Sequence, residues 1–481
     1  PLRTEFGLRL SGSAYSRDRF QLTNAMNVPF TISFRQKPSF NFFFRSEWGE
    51  RPIEYPFFPD GSVTRFESIR LRAGKNDILN PFLRDELIRR IYRDTGQKSS
   101  VGIFNTLYIN GVYKGYFNLC ERLREGFMQE HHQSTEAWDV QQVNVFSDGD
   151  PIHWNKMISY MRSAQFTNLN EYLGMLEYLD VDNFIDYLAV NAYVAMWDWP
   201  NNNWVAARER SPQGRWRFYM WDAEGGLGYN DLPITHDTFV SELIIGNPRT
   251  TTSSYIPALY TLLRESPEFR LRFADRVQKH CFNGGALVKS NMQAHFLTLR
   301  DTLNPIMLDH FGGTVSEGFY QTWIVSDVRR TNFFNQLVAQ GLWPAVAAPE
   351  LSHPGGIVTN GLQLSLSNPN ASGTIYFTTN GTDPRLPGGA INGSLYSVPL
   401  LLNDSTVVKA RVLDEDGVWS PLIEGHFVVP SPIAVFLPTG NADWNVSANW
   451  STSPKPHPDG AGQSVLIPPP TGAADRNVNL R

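Results

Sequence analysis

The stretch Met196-Trp197-Asp198-Trp199-Pro200-Asn201-Asn202-Asn203 leaves a helical pattern and enters an apolar strand, Trp204-Val205-Ala206-Ala207-Arg208. Gln213-Gly214 turns the chain, and a second strand ends in Trp221-Asp222-Ala223-Glu224-Gly225-Gly226-Leu227-Gly228. An Asp at a helix end is thus followed by an Asn five residues on, a hairpin, and an Asp opening a Gly-rich turn. Carboxylates and a side-chain amide are the hard oxygen donors that Mg²⁺ takes. Spacing alone leaves a second reading open, in which Asp198 and Asn203 cap helices or turns and Asp222 opens an Asx-turn.

Upstream, residues 7–10, 30–34 and 40–44 alternate or run apolar with aromatic enrichment, the mark of strands. A helix is expected after Pro81, with Leu83, Leu87, Ile88 and Ile91 on one face. That leaves Arg84-Asp85 and Arg89-Arg90 as a solvated face. Residues 106–119 read as a hairpin about Asn110-Gly111. From 154 to 343 helical periodicity prevails, as at 169–176, 182–197, 256–264 and 268–280, and the hairpin above is an island within it. Residues 1–343 therefore read as one α+β domain, with a strand-rich half over 1–120 and a mostly helical half over 121–343. Pro344 to Pro349 is a linker. Beyond it charges thin out, and short strands at 362–366, 374–379, 406–412 and 425–429 are separated by turn signals. This is the pattern of an all-β, Ig-like sandwich over 350–430. Residues 431–481, with Trp444 and Trp450 about a polar turn, are too few for a core and read as the truncated start of a further β region.

Four hundred and eighty-one residues call for two or three domains, and 41% hydrophobic with 19% charged residues excludes whole-chain disorder. With 42 basic against 47 acidic residues, no basic excess remains to make nucleic acid or an anionic membrane a principal partner. The apolar run at 187–197 is too short to span a membrane and is broken by Asn191. Cys120 and Cys281 fit no metal pattern and could form one bridge at most; two buried thiols are expected. The chain opens at Pro1 without a methionine or a signal-like segment, as expected of a processed protein or excised fragment.

Protein kinases order an Asp, an Asn and a second Asp in the same way. More specifically, residues 7 to about 282 resemble the spore-coat-H (CotH-like) kinase family, an atypical branch of the protein-kinase-like fold. The resemblance is carried by Gly7-Leu8-Arg9-Leu10-Ser11-Gly12-Ser13, Lys37-Pro38-Ser39-Phe40, Phe44-Arg45-Ser46-Glu47-Trp48-Gly49 and Leu71-Arg72-Ala73-Gly74-Lys75-Asn76-Asp77. It continues through Leu83-Arg84-Asp85, Tyr108 to Arg122, Asp198 to Asn203, Trp221 to Gly228, and Leu262 to Phe273. The resemblance implies that Asp198 is the catalytic-loop acid and that Asn203, Asp222 and Glu224 are the Mg²⁺ or Mn²⁺ residues, Glu224 standing where the family commonly has a second aspartate. It implies that Lys37 neutralises ATP phosphates with Glu121 as its partner, and that Arg9, Gly12 and Ser13 form a short turn over those phosphates. A true GxGxxG is absent. On the residues alone, Lys37 is equally a solvated charge and Glu121 a surface partner of Arg122 or Arg124. His131, His132 and His280 lack the companions of a metal set and read as surface or core histidines.

The later β region resembles the C-terminal domain of chitobiase-like glycosidases through residues 375–384, 396–400, 408–412 and 417–420. Asn380-Gly381-Thr382-Asp383-Pro384 there reads as architecture, and no carboxylate pair flanks a groove, so glycosidase chemistry is not implied. The expected function is phosphoryl transfer from ATP to Ser/Thr hydroxyls of a protein acceptor that is exported or on the cell surface. Cell-surface polysaccharide is a further partner expected of the sandwich. The competing expectation is a non-catalytic, secreted surface or adhesion scaffold that keeps only the kinase-like fold.

Overall fold

The computed structural model describes residues 2–11, 38–49, 51–59, 63–74, 83–311 and 313–430, and four two-residue strands beyond them. Gly12, Ser13, Lys37, the expected strand at 30–34, Trp444 and Trp450 lie outside the described residues. The chain falls into two compact units. One comprises Pro1–Ala347 with Leu386–Ala390 and Asp416–Leu422, and the other Ala348–Arg385, Ile391–Glu415 and Ile423–Arg481.

The first unit opens with β1 (Gly7–Ser11), β2 (Ser39–Phe43) and β3 (Ser68–Arg72), followed by α1 (Arg84–Asp94), β4 (Gly102–Ile109) and β5 (Val112–Glu121). They form one antiparallel sheet in the order β1-β2-β3-β5-β4. Asn110 and Gly111, both at positive φ, close the β4–β5 hairpin, as that dipeptide predicts. Alternation sorts the two faces of the sheet. Phe40, Ile69, Leu71, Phe117 and Leu119 bury together on one face. Asn41, Arg70, Arg72, Asn118 and Cys120 share the other, by the register Asn41↔Arg70↔Cys120 and Arg72↔Asn118.

Helix α1 forms where its apolar spacing places it, but of the charges expected on a solvated face only Arg90 is part-exposed. Arg84, Asp85, Glu86 and Arg89 are all buried. The solvated-face expectation fails because these charges satisfy one another and the sheet. Arg89 reaches Asp85 at 3.0 Å, Glu86 at 2.7 Å, Asn118 at 2.8 Å and the Ser100 carbonyl at 2.6 Å.

The helical half runs through α2 (Glu125–His132), β6 (Trp138–Gln142), β7 (Val145–Asp148), α3 (Ile152–Ser163), α4 (Leu169–Met175) and α5 (Val181–Val194). The hairpin β8 (Trp204–Glu209) and β9 (Arg217–Met220) follows, then α6 (Tyr255–Leu263), α7 (Pro267–Cys281), α8 (Lys289–Phe311) and α9 (Val328–Ala339). Strands β6 and β7 extend the hairpin into a sheet ordered β9-β8-β6-β7. Apolar alternation does not mark them, because β6 carries the buried polar residues Asp139, which accepts from Arg210, and Gln141, whose amide N–H donates to the Val143 carbonyl. Helix α5 begins at Asp180, whose carboxylate caps Asn183 N–H at 3.1 Å. It ends at Ala195, at φ 49, short of the expected Trp197. Both cysteines are free and buried. Among the described residues no helix is long and apolar enough to cross a membrane.

In the second unit, β10 (Gly356–Ile357), β12 (Thr374–Thr378), β13 (Ser394–Leu395), β15 (Thr406–Leu413) and β16 (Ile423–Val428) make a sheet ordered β10-β16-β15-β12-β13. β11 (Leu362–Leu364) and β14 (Leu400–Leu402) pair separately. The Asn380-to-Pro384 turn is structural. Asn380 accepts from Thr382 N–H at 3.0 Å, and Asp383 takes both arms of buried Arg411 at 2.8 and 2.6 Å. Farther on, Ala434–Val435 pairs with Val465–Leu466 and Ala442–Asp443 with Val478–Asn479.

The helical core contains one buried charge whose removal is diagnostic. Asp186 on α5 is fully buried and accepts from Arg276 and His280 on α7, at 2.7 and 2.8 Å, and from Gln97 at 2.7 Å. Burial alone would push its carboxyl up, but His280 and Arg276 outweigh that and hold it below the ordinary range. Its stabilising contribution is therefore present above the unfolded carboxylate value of about 4 and is lost as pH falls through the lower folded value. Asp186→Ala is expected to cost about 3–5 kcal/mol at neutral pH, because it strands buried Arg276. Denaturant unfolding of both proteins should show that gap closing under acid; a gap independent of pH would refute the assignment.

Candidate active site

The antiparallel register Trp204↔Met220 brings Asn203, just ahead of β8, and Trp221-Asp222, just after β9, to one end of the same hairpin. Two backbone bonds lace the segment after α5 to the turn after β9. Leu227 N–H donates to the Val194 carbonyl at 2.7 Å, and Trp197 N–H to that of Gly225 at 3.0 Å. Glycine is required in that turn. A Cβ on Gly225 would stand 2.7 Å from the Trp197 carbonyl oxygen, and one on Gly226 2.6 Å from Ile88 of α1. Asp198, Asn203 and Asp222 have φ of 57, 59 and 54°, a left-handed region in which Asp and Asn are the best tolerated side-chain-bearing residues. Such conformations persist where the surroundings over-determine them, and they cluster at functional sites. Asp198 accepts from the amides of Asn202 at 2.9 Å and Asn203 at 3.4 Å. Among the described residues no cation pairs with it.

Facing the turn is Arg72, at the end of β3. One of its nitrogens donates to Asp222 and to Glu224, both at 2.6 Å, while the other lies 3.4 Å from Asp85 of α1. Asp85 in turn accepts from Ala223 N–H at 2.8 Å. Burial disfavours the Arg72 charge, but Asp85, Asp222 and Glu224 outweigh it and hold the guanidinium well above its ordinary pKa. Burial likewise pushes Asp85 up, and Arg72 and Arg89 bring it down below the usual carboxylate range. Sheet, helix and turn thus meet in one ion network.

A five-stranded antiparallel sheet with a helix between β3 and β4, joined to helices and an Asp–Asn–hairpin–Asp segment, is a kinase-like arrangement. A family model described as CotH kinase protein matches residues 31–336. The chain belongs to the CotH kinase protein family. A second model, described as Fn3 associated, matches residues 362–426 in the β-sandwich. No curated protein matches the chain.

Within the CotH kinase domain, Asp198, Asn203, Asp222 and Glu224 lie around one hairpin end, whereas Glu121 and Arg9, the described residues among those expected to hold nucleotide, stand elsewhere on the sheet. Glu121 is buried, not a surface partner of Arg122 or Arg124. Its oxygens engage His131 Nε2 at 2.8 Å and Val101 N–H at 2.9 Å, and its register partner is Ile69, on the sheet face opposite Arg72. Arg122 instead donates to Ser68 Oγ at 3.2 Å and Arg124 to Asp148 at 2.7 and 3.0 Å. Arg9 stands on β1 opposite Asn41. Sequence reasoning missed Arg72 and Asp85, although Ser68-Ile69-Arg70-Leu71-Arg72 alternates charge with apolar residues and so points its arginines away from the core.

Among the described residues no three His, Cys, Asp or Glu side chains gather into a metal cluster. Magnesium does not require one, since it keeps several waters and is held by one or two carboxylates together with substrate phosphates. The amide oxygen of Asn203 and the second oxygen of Asp222, a side chain 37% exposed, fit that role. Glu224 is buried and turned to Arg72.

If Arg72 pins the site, Arg72→Met should lower unfolding free energy by about 3–5 kcal/mol, because buried Asp85 and Glu224 each lose an ion partner. Arg72→Lys should recover only part, lacking the planar fork that spans three carboxylates. Chemical denaturation of the three proteins measures this; equal midpoints would dismiss the pin.

Proposed function

We propose that this CotH kinase domain transfers phosphate from ATP, with Mg²⁺ or Mn²⁺, to a Ser or Thr hydroxyl of an exported or surface protein. The observation that carries the reading is the convergence of Asp198, Asn203 and Asp222 at one end of the β8–β9 hairpin, with Arg72 against Asp222. Metal-bound ATP supplies a transferable phosphoryl group whose oxygen charges are partly neutralised. Asp222 and Asn203 present oxygens to the metal. Arg72 fixes the Asp222 carboxylate from the sheet side. Asp198, steadied by two neutral amides and exposed, orients the acceptor hydroxyl and takes its proton at a carboxylate oxygen. The sandwich and its polar Ser/Thr/Asn surface support an extracellular setting and suit a surface-polysaccharide contact.

Asp198→Asn should cut radiolabelled phosphate transfer about 10²–10⁴-fold while calorimetric affinity for Mg–ATP stays within a few-fold. Asp222→Ala should weaken that affinity sharply. Equal transfer by wild type and Asp198→Asn would remove Asp198 from catalysis. No Mg–ATP binding by the wild type would leave the non-catalytic scaffold.

A further inference from the structure

The sheet face that carries Arg72 has a second concentration of arginines, far from the carboxylates. Arg9 of β1, Arg45 just past β2, and Arg122 and Arg124 just past β5 line a groove of about 520 Å³ with Phe43 and Trp48. Arg45 lies over both rings, 5.5 Å from Phe43 and 5.8 Å from Trp48, and Arg122 lies 4.9 Å from the Phe43 ring. Of these arginines only Arg124 has a carboxylate partner among the described residues, Asp148. The side chains of Arg9 and Arg45 make no hydrogen bond or ion pair there. Burial, with the charges of Arg70, Arg124 and Arg9, pushes the Arg122 guanidinium down to about 9. Arginine in a protein ordinarily never approaches deprotonation, so the groove concentrates positive charge that, apart from Asp148 at Arg124, no carboxylate among the described residues pairs.

An anion relieves that repulsion, and its source follows from position. Phosphates held at Asp222 belong beside Arg72, at the end of β3, whereas Arg122 bonds Ser68 at the start of the same strand. Four residues of extended chain separate them by about 13 Å, and Arg70 stacked on Trp221 at 4.5 Å stands between. A nucleotide base reaching that far is neutral and leaves the charge uncompensated. Arg122 and Arg124 sit where the chain crosses from the sheet to α2.

We propose that this groove binds the acidic flank of the protein acceptor, with Glu or Asp carboxylates on Arg9, Arg45 and Arg122 and side-chain stems against Phe43 and Trp48. The identity of the bound segment as acceptor rests on the phosphotransfer reading above. Forked guanidinium–carboxylate pairing supplies the selectivity, and the aromatic walls strengthen it by excluding water.

The test uses the full chain and two labelled peptides, a Ser flanked by Glu residues and its Gln counterpart, with binding read by fluorescence anisotropy. The Glu peptide should bind at least about tenfold tighter, and the difference should shrink at high salt. Arg45→Gln and Arg122→Gln should each weaken it about five- to tenfold. Calorimetric Mg–ATP affinity should stay unchanged, and any transfer to the peptide should show a raised KM at constant kcat. Arg45 is exposed and breaks no hydrogen bond when replaced, so its variant remains informative if Arg122→Gln fails to fold. Equal affinity for both peptides, or variants that bind the Glu peptide like wild type, overturns the proposal. So does a loss confined to ATP, which would make the groove part of the nucleotide site. Charge-dependent peptide binding by a chain that transfers no phosphate supports the groove and removes the catalytic reading instead.

Discussion

The guanidinium of Arg72 joins parts of the CotH kinase domain that the sequence keeps far apart: the end of β3, the first turn of α1 and the turn after β9. Its planar fork lets one charge address carboxylates in different directions, which an ammonium on a flexible stem does poorly. Asp222 therefore takes its position from the sheet as well as from its own hairpin. The same network explains why most of the charged residues of α1 are buried. Asp85 answers Arg72 and also Arg89, which ties onward to Glu86, Ser100 and Asn118. Removing any one member leaves its partner charged in a medium of low polarity, which is why such networks hold or fail as units.

The catalytic segments are positioned by backbone more than by side chains. Two main-chain bonds and two crowded glycines fix the distance between the strand after α5 and the turn after β9. Side chains on left-handed residues then project where a helix or strand would not send them. Charge is distributed unevenly along this surface. Carboxylates gather near Asp198 and Asp222, and guanidiniums gather near Phe43 and Trp48. Separated concentrations of opposite charge on one surface can orient a charged ligand before contact is made.

What could be read from the sequence was local. The Asp–Asn spacing, the β8–β9 hairpin, the Asn110-Gly111 turn and the apolar stripe of α1 each need only neighbouring residues. What escaped was polar and buried. Strand β6 is hidden because buried Asp139 and Gln141 break the apolar alternation, and the partner of Asp139, Arg210, comes from 71 residues away. Arg72 and Asp222 are 150 positions apart, and no periodicity links them. The alternative reading of Glu121 as a surface partner of Arg122 or Arg124 fails because its partners, His131 and Val101, come from α2 and the approach to β4. The end of α5 was misjudged by a few residues because alanine is a strong helix former, and Ala195 nevertheless takes a left-handed cap.

The substitution of glutamate at position 224, where this family commonly has aspartate, follows from the same pin. The longer side chain reaches the very nitrogen of Arg72 that Asp222 engages, each at 2.6 Å. One guanidinium charge is thus divided between two carboxylates here and a third at Asp85. Glu224 and Asp85 are buried and have only protein groups to answer them, so they make the stronger claim on it. Asp222, by contrast, is part-exposed and lies in the turn laced to the Asp198 segment, where Asp198 is supported among the described residues by two amides. A hard oxygen open to solvent on one side and braced by an arginine on the other suits a divalent cation carrying phosphates. In the phosphotransfer proposed above, Glu224 serves that end indirectly, by fixing the arginine that fixes Asp222.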